Sequence, residues 1–167
     1  MGIKYLKGDA TSRIGEGKKA IIHVSNCNNG WGRGFVLAIS AKWKQPELEY
    51  RRLFYRLNQE QSVNLLGHCQ FVSVEENVTV VNMIAQKGYG KNNLQKHRTD
   101  EPDTETPLQL WALEECLEEI AIWAKDNKVS IHGPRFGAGL SGGNWKDIEK
   151  LINKHMSDID VFIYDLK

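Results

Sequence analysis

The chain has 167 residues, 22 Lys and Arg against 21 Asp and Glu, and a formal charge of +1. That length suits a single domain, 1–167, with a real core. The cancelled charge excludes a strongly basic nucleic-acid face while leaving room for a local patch. No run approaches about eighteen apolar residues, so no membrane span is expected, and MGIKYLKGDAT lacks the apolar centre of a secretory signal. Cys27, Cys69 and Cys116 make neither a CxxC pair nor an even set. A reducing, cytoplasmic setting with the thiols as small core residues is the simplest reading, and a monomer is expected.

In chain order, IKYL at 3–6 and AIIHV at 20–24 are short apolar runs that predict strands. Phe35, Ile39 and Trp43 recur every four residues and predict a helix. Tyr50, Leu53, Phe54 and Leu57 form a second helical stripe after Pro46, which suits a first-turn position. HCQFVSV at 68–74 and VTVVNMI at 78–84 predict two more strands. Residues 86–106 lack apolar periodicity, basic first and acidic afterwards, and loops this long are usually functional or mobile. A long helix is predicted over 107–126, with Pro107 at its start and Leu110, Leu113, Leu117, Ile120 and Ala124 on one face. The strand VSIHG at 129–133, a helix from about Asn144 carrying Trp145, Ile148, Leu151 and Ile152, and the strand DVFIYDL at 160–166 complete the series. The alternation predicts an α/β chain with helices on both faces of a sheet, its strands apolar enough to be covered twice.

Two glycine-rich loops each join a strand to a helix. In HVSNCNNGWGRGF, residues 23–35, Gly30, Gly32 and Gly34 precede the helix at Phe35. In PRFGAGLSGGNW, residues 134–145, Gly137, Gly139, Gly142 and Gly143 precede the last helix. Such a unit aims unpaired N–H groups at one point, where the helix dipole favours an anion, and glycine lets a phosphate approach the main chain. Two such loops on one rim of strand C-terminal ends point to a diphosphate and hence a nucleotide-like ligand. Asn26, Asn28 and Asn29 bring carboxamides suited to ribose hydroxyls. The first loop reads GxGxG rather than GxGxxG and no GxxxxGK[ST] occurs, which argues against a P-loop kinase or NTPase. After the first strand, Asp9 of KGDAT either closes an Asx-turn or cap, or accepts from an exocyclic amine such as that of adenine.

KGDAT, HVSNCNNGWGRGF, PRFGAGLSGGNW and the final strand, in this order and spacing, resemble the macrodomain family of ADP-ribose-binding proteins. The branch resembled holds terminal ADP-ribose glycohydrolases and ADP-ribose-1''-phosphate phosphatases. The resemblance implies a three-layer α/β/α fold with a central mixed sheet of about six strands. It also implies ADP-ribose or ADP-ribose-1''-phosphate as ligand, no cofactor and no metal. Asp9, with Ala10 beside it, would hold the adenine amine, and Asn26 or Asn28 would contact the distal ribose. Gly32, Arg33, Gly34 and Phe35 would wrap the diphosphate from one side, and Gly137, Ala138, Gly139, Leu140 and Ser141 from the other. The glycohydrolase branch uses a lysine after the strand that here ends NMIAQ. Gln86 stands at that position with Lys87 one residue on, and Ser141 replaces the acidic residue that follows the second loop's GxGL. The resemblance thus favours removal of a terminal phosphate, with capture of ADP-ribose without turnover, or release of ADP-ribose from a modified protein or nucleic acid, as alternatives. In the last case the long loop, through Lys87, Lys91, Lys96 and Arg98, would meet the carrier.

Phosphate removal needs a group that moves a proton. His23, beside the first loop, is a candidate, and it equally suits a satisfied core histidine in an apolar strand. Asn28 and Lys87 are the other catalytic candidates. His132 has the stronger structural reading, Cys27 reads as packing, and His68 and His97 lack partners at ligand spacing for a metal.

Overall fold

The computed structural model describes residues 2–12, 15–88 and 107–166. Strands β1 Gly2–Lys7, β2 Lys18–Asn26, β3 Cys69–Glu75, β4 Val78–Gln86, β5 Val129–Gly133 and β6 Asp160–Asp165 form one sheet in the order β1-β6-β5-β2-β4-β3. All neighbours run parallel except β3, which pairs antiparallel with β4. The mixed six-stranded sheet is the one expected.

Position in the sheet explains the burial of each strand. Ala20–His23 of β2 and Val80–Ala85 of β4 are wholly inside, as covered parallel strands must be. The edge strand β3 is buried only in part, and its successive side chains, which point to opposite faces, meet a helix on each side. Gln70 donates from Nε2 to Glu49 O of α2 (Gln45–Arg52) at 2.9 Å, while the next residue, Phe71, meets Trp123 of α4 (Leu110–Asn127) at 4.8 Å between ring centroids. With α1 (Phe35–Lys42) beside α2, and α5 (Trp145–Met156) tied to α4 through Lys154, His155 and Glu114, the layers are α/β/α. A short α3, Gln59–Ser62, begins with a capping box between Asn58 and Gln61.

Two helices depart from the sequence reading. The long helix starts at Leu110, not Pro107, because residues 107–109 are stitched elsewhere. Pro107 O accepts from Lys87 N, Leu108 N donates to Ser141 O and Gln109 N donates to Ala85 O, at 2.8–3.0 Å. Leu110 consequently leaves the apolar stripe and is exposed, whereas Leu113, Leu117, Ile120 and Ala124 are buried as expected. The stripe after Pro46 breaks too: α2 ends at Arg52 and Leu57 lies beyond it, exposed.

All three thiols are free and buried. Cys69 and Cys116, distant in sequence, are neighbours: Cys69 Sγ donates to Cys116 O and Cys116 Sγ to His68 O, each at 3.7 Å. The contact with Cys116, and then burial, push the Cys69 thiol well up, so it packs as an inert side chain. Among the described residues no helix is long and apolar enough to cross a membrane. Lys91, Lys96, His97 and Arg98 lie outside the described residues.

Candidate functional site

Strands β2 and β4 each run two residues further than the apolar pattern suggests. Those extra residues, Ser25 and Asn26 of β2 and Ala85 and Gln86 of β4, reach the C-terminal rim of the sheet. There β2 and β5 are adjacent, but the chain leaves β2 toward the β4 side and β5 toward the β6 side. Such a switch point opens a crevice. A cavity of about 720 Å³ lies there, within the range of small-molecule sites.

The two glycine loops form its walls. From the first come His23, Val24, Ser25, Asn26, Gly30, Gly32, Arg33, Gly34, Phe35 and Val36; from the second, Pro134, Arg135, Phe136, Gly137, Ala138 and Ser141; Gln86 closes the β4 end. Of the residues singled out in the sequence, His23, Asn26, Gly32, Arg33, Gly34, Phe35, Gly137, Ala138 and Ser141 are thus brought together. Asp9, Ala10, Asn28, Lys87, Gly139 and Leu140 are not on this wall.

What those six do instead has physical content. Asp9 Oδ1 accepts from the N–H and hydroxyl of Thr11, both at 2.8 Å, closing the Asx-turn that opens the turn Ala10–Ser12. Asn28 Oδ1 accepts from Gly88 N at 2.7 Å and clasps the first loop to the end of β4. Lys87 is 3 % exposed, and its N–H is the donor to Pro107 O. Gly139 and Leu140 belong to the one-turn helix Gly139–Ser141, and the Leu140 side chain lies outside the described residues.

The first loop is braced by α2. Asn26 Oδ1 accepts from Asn28 N, Gly30 N and the Tyr50 hydroxyl at 2.7–3.0 Å. Arg51 donates to the main-chain and side-chain oxygens of Asn29, whose φ of 59° puts it in the left-handed region. Trp31 Nε1 donates to Ser40 Oγ at 2.7 Å. The loop then enters α1 through Gly34, at φ 80° and ψ −146°, with no side chain capping the helix. The uncapped first turn of α1 therefore stands on the wall through Phe35 and Val36.

The second loop differs from its sequence reading. Asn144 Oδ1 accepts from Lys146 N at 2.9 Å and caps α5, so this helix spends its own N-terminus locally. Its contribution to the wall is main chain at Gly137 and Ala138, held by Gly143 N donating to Gly137 O at 2.9 Å.

The charges of the wall are Arg33 and Arg135, and among the described lining residues there is no carboxylate. Sequence reasoning passed over Arg135. Its Nε and Nη2 donate to the two Asp165 oxygens at 2.7 and 3.0 Å, and its guanidinium lies 4.9 Å from the Tyr5 ring centroid. The Arg135 pairing also holds the Asp165 carboxyl below its ordinary range.

His23 sits on the inner wall with the Trp31 ring edge-on at 5.4 Å. Its Nε2 is 2.6 Å from Asn82 Oδ1, and Asn82 Nδ2 donates to Pro46 O and Gln70 Oε1. Asn82 thereby presents an acceptor, so Nε2 of His23 carries the proton and Nδ1 the lone pair. Burial lowers its pKa from 6.5 to about 4, the Asn82 bond opposing. Nδ1 and the neighbouring Ser25 Oγ have no protein partner among the described residues. His132 is a satisfied core residue, between Tyr164 OH at 2.8 Å and Ser130 Oγ at 2.9 Å. Gln86 Oε1 accepts from Ser141 Oγ at 2.6 Å and Nε2 donates to Gly88 O at 2.9 Å.

Residues that the sequence reading left out, Ser25, Arg135 and Phe136, had only one signal: they extend the strand or loop already singled out.

No family model matches the chain. A macrodomain protein from Streptomyces coelicolor superposes with a TM-score of 0.76, is 39% identical and is covered over 98% of both chains. Among curated proteins, the chain is 30% identical to the mouse chromodomain-helicase-DNA-binding protein 1-like over 97% of its own length. It is 25% identical to the ADP-ribose 1''-phosphate phosphatase of Meyerozyma guilliermondii over 96% of its own length and 98% of that protein. It spans only 17% and 15% of the mouse and zebrafish helicase relatives. Sharing sequence and fold with the Streptomyces protein from end to end, with two glycine loops meeting over the C-terminal rim of the sheet, the chain belongs to the macrodomain family.

Proposed function

We propose that the cavity binds ADP-ribose and that the protein hydrolyses an ADP-ribose derivative, most specifically ADP-ribose-1''-phosphate, to ADP-ribose and phosphate. The observation that carries this reading is the wall itself. Two main-chain loops face one crevice of nucleotide size, with the Arg33 guanidinium, an uncapped helix N-terminus and no carboxylate among the described lining residues, while the Arg135 charge is matched by Asp165. Such a lining favours a diphosphate. The yeast relative, named ADP-ribose 1''-phosphate phosphatase and matched over 98% of its length, supports the choice of substrate.

The ligand runs along the rim in this reading. Gly32, Arg33, Gly34 and Phe35 flank the diphosphate on one side and Gly137 and Ala138 on the other. The base lies toward β6 and β1, where Arg135 and Asp9 are, and the distal ribose toward Asn26, Gln86 and Ser141. Gln86 is a carboxamide engaged at both ends, and an amide nitrogen, its lone pair delocalised into the carbonyl, cannot act as the nucleophile that a lysine amine at this position could be. Hydrolysis at the terminal phosphate then falls to His23, the one imidazole among the described lining residues; its Nδ1 is buried in the free protein, so this role requires the bound ligand to shift the wall and admit water to that lone pair. A docked phosphate would raise its basicity by favouring the imidazolium.

A second reading, capture of ADP-ribose without turnover, is favoured by the weak basicity of free His23 and the lack of a carboxylate on the described wall. Calorimetric titration with ADP-ribose is expected to show binding, and incubation with ADP-ribose-1''-phosphate is expected to release phosphate. Binding without release would leave the capture reading, and no binding would remove both.

A further inference from the structure

We propose that Tyr50 is a positioning residue that fixes the Asn26 carboxamide so that only its Nδ2 donors face the ligand; this rests on the ADP-ribose reading of the cavity. Tyr50 belongs to α2 and looks, in sequence, like one more residue of an apolar stripe. In the fold it is 0 % exposed, and its hydroxyl reaches across to the end of β2. The oxygen lies 2.7 Å from both Asn26 O and Asn26 Oδ1, so its single proton is shared between those acceptors, and it accepts from Gly30 N at 3.1 Å.

The consequence lies in the bonding capacity of a carboxamide. One end accepts and the other donates, and a half-turn about χ2 exchanges them. Asn26 Oδ1 already takes Asn28 N, Gly30 N and the Tyr50 hydroxyl. Among the described residues, no hydrogen bond engages its Nδ2. Asn26 is on the cavity wall at the β4 end, beside its strand partner Gln86. It therefore offers two N–H donors and no acceptor to whatever fills that end, which selects an oxygen with a free lone pair, such as a ribose hydroxyl oxygen. Removing the Tyr50 hydroxyl takes away one of the three donors to Oδ1 and the brace on Gly30 N, so the loop that supplies the other two donors, Asn28 N and Gly30 N, loosens with it. The carboxamide then samples the reversed orientation, in which oxygen meets oxygen.

The test compares ADP-ribose with ADP, which lacks the distal ribose, by calorimetry on wild type, Tyr50→Phe, Asn26→Ala and the double variant. Tyr50→Phe is expected to weaken ADP-ribose about tenfold and to leave ADP within about twofold. In the Asn26→Ala background it should add nothing further for ADP-ribose. Equal losses for both ligands would mean a general loosening of the loop and overturn the proposal. So would unchanged ADP-ribose affinity, or additive losses in the double variant. On unmodified protein, the side-chain amide proton signals of Asn26 should shift with ADP-ribose and stay with ADP, and signals indifferent to ADP-ribose would overturn it without any variant. A wild type that binds no ADP-ribose sinks the parent reading and this proposal together, whereas the other failures sink only the role of Tyr50.

Discussion

Gly143→Ala is expected to cost about 2–4 kcal/mol of stability and to abolish ADP-ribose binding. A β-carbon at this position would lie 2.3 Å from Leu108 Cδ2 and 2.4 Å from Gly137 O. Leu108 is 2 % exposed, so its side chain has little room to turn aside. The carbonyl is main chain and is the acceptor for Gly143 N–H, at 2.9 Å. The methyl group would push apart the bond that closes the second loop, and Gly137, on the cavity wall, would move with it. Urea denaturation measures the stability and calorimetry the binding; a variant as stable as wild type would show that the loop can open without penalty. Gly139→Val probes a separate link. Nothing lies within 4 Å of its β-carbon, and its φ is +67°. It should therefore fold, at a strain of about 1–2 kcal/mol; because Gly139 is not on the cavity wall, a lost titration there reports on displacement of its neighbours Gly137 and Ala138 rather than on the core.

Acid is expected to remove about 3 kcal/mol of stability through His23 alone. Burial holds this imidazole neutral, with its pKa lowered from 6.5 to about 4. Above pH 6.5 it is neutral in the folded and unfolded chains alike, and its contribution is fully present. Between pH 6.5 and about 4 the unfolded chain takes up a proton that the folded one refuses, so stability falls across that window. Below it both forms are charged and the loss is complete. Other groups titrate in the same range, so the measurement is a difference: denaturation of wild type and His23→Gln at pH 7.5 and at pH 4. The wild type should lose about 3 kcal/mol more than the variant over this interval. Parallel losses would mean that His23 is solvated and charged in the native state.

These two residues also mark how far the chain could be understood before it was folded. Gly143 was legible as part of a flexible loop before a helix, because a glycine pair after a strand has few other uses. The methyl-sized gap that requires it was not, since the neighbours that create it, Leu108 and Gly137, come from different segments. His23 had two readings in an apolar strand. The choice of protonated nitrogen depends on Asn82, 59 residues away, and on what Asn82 itself bonds to in α2 and β3.

Apolar periodicity reported the strands and most helices because each buries a face of fixed repeat, and the order of KGDAT and the two glycine loops carried the family. Composition and pattern could not report bonds between segments. Pro107–Gln109 were drawn out of the long helix by β4 and the second loop. The N-terminus of α5 was taken by Asn144, while that of α1 stayed open. Tyr50, apolar in pattern, carries its hydroxyl to Asn26 Oδ1 across the fold. The division follows from range: hydrophobic burial is written locally, residue by residue, whereas directional hydrogen bonds need a donor and an acceptor that only the closed chain brings within 3 Å.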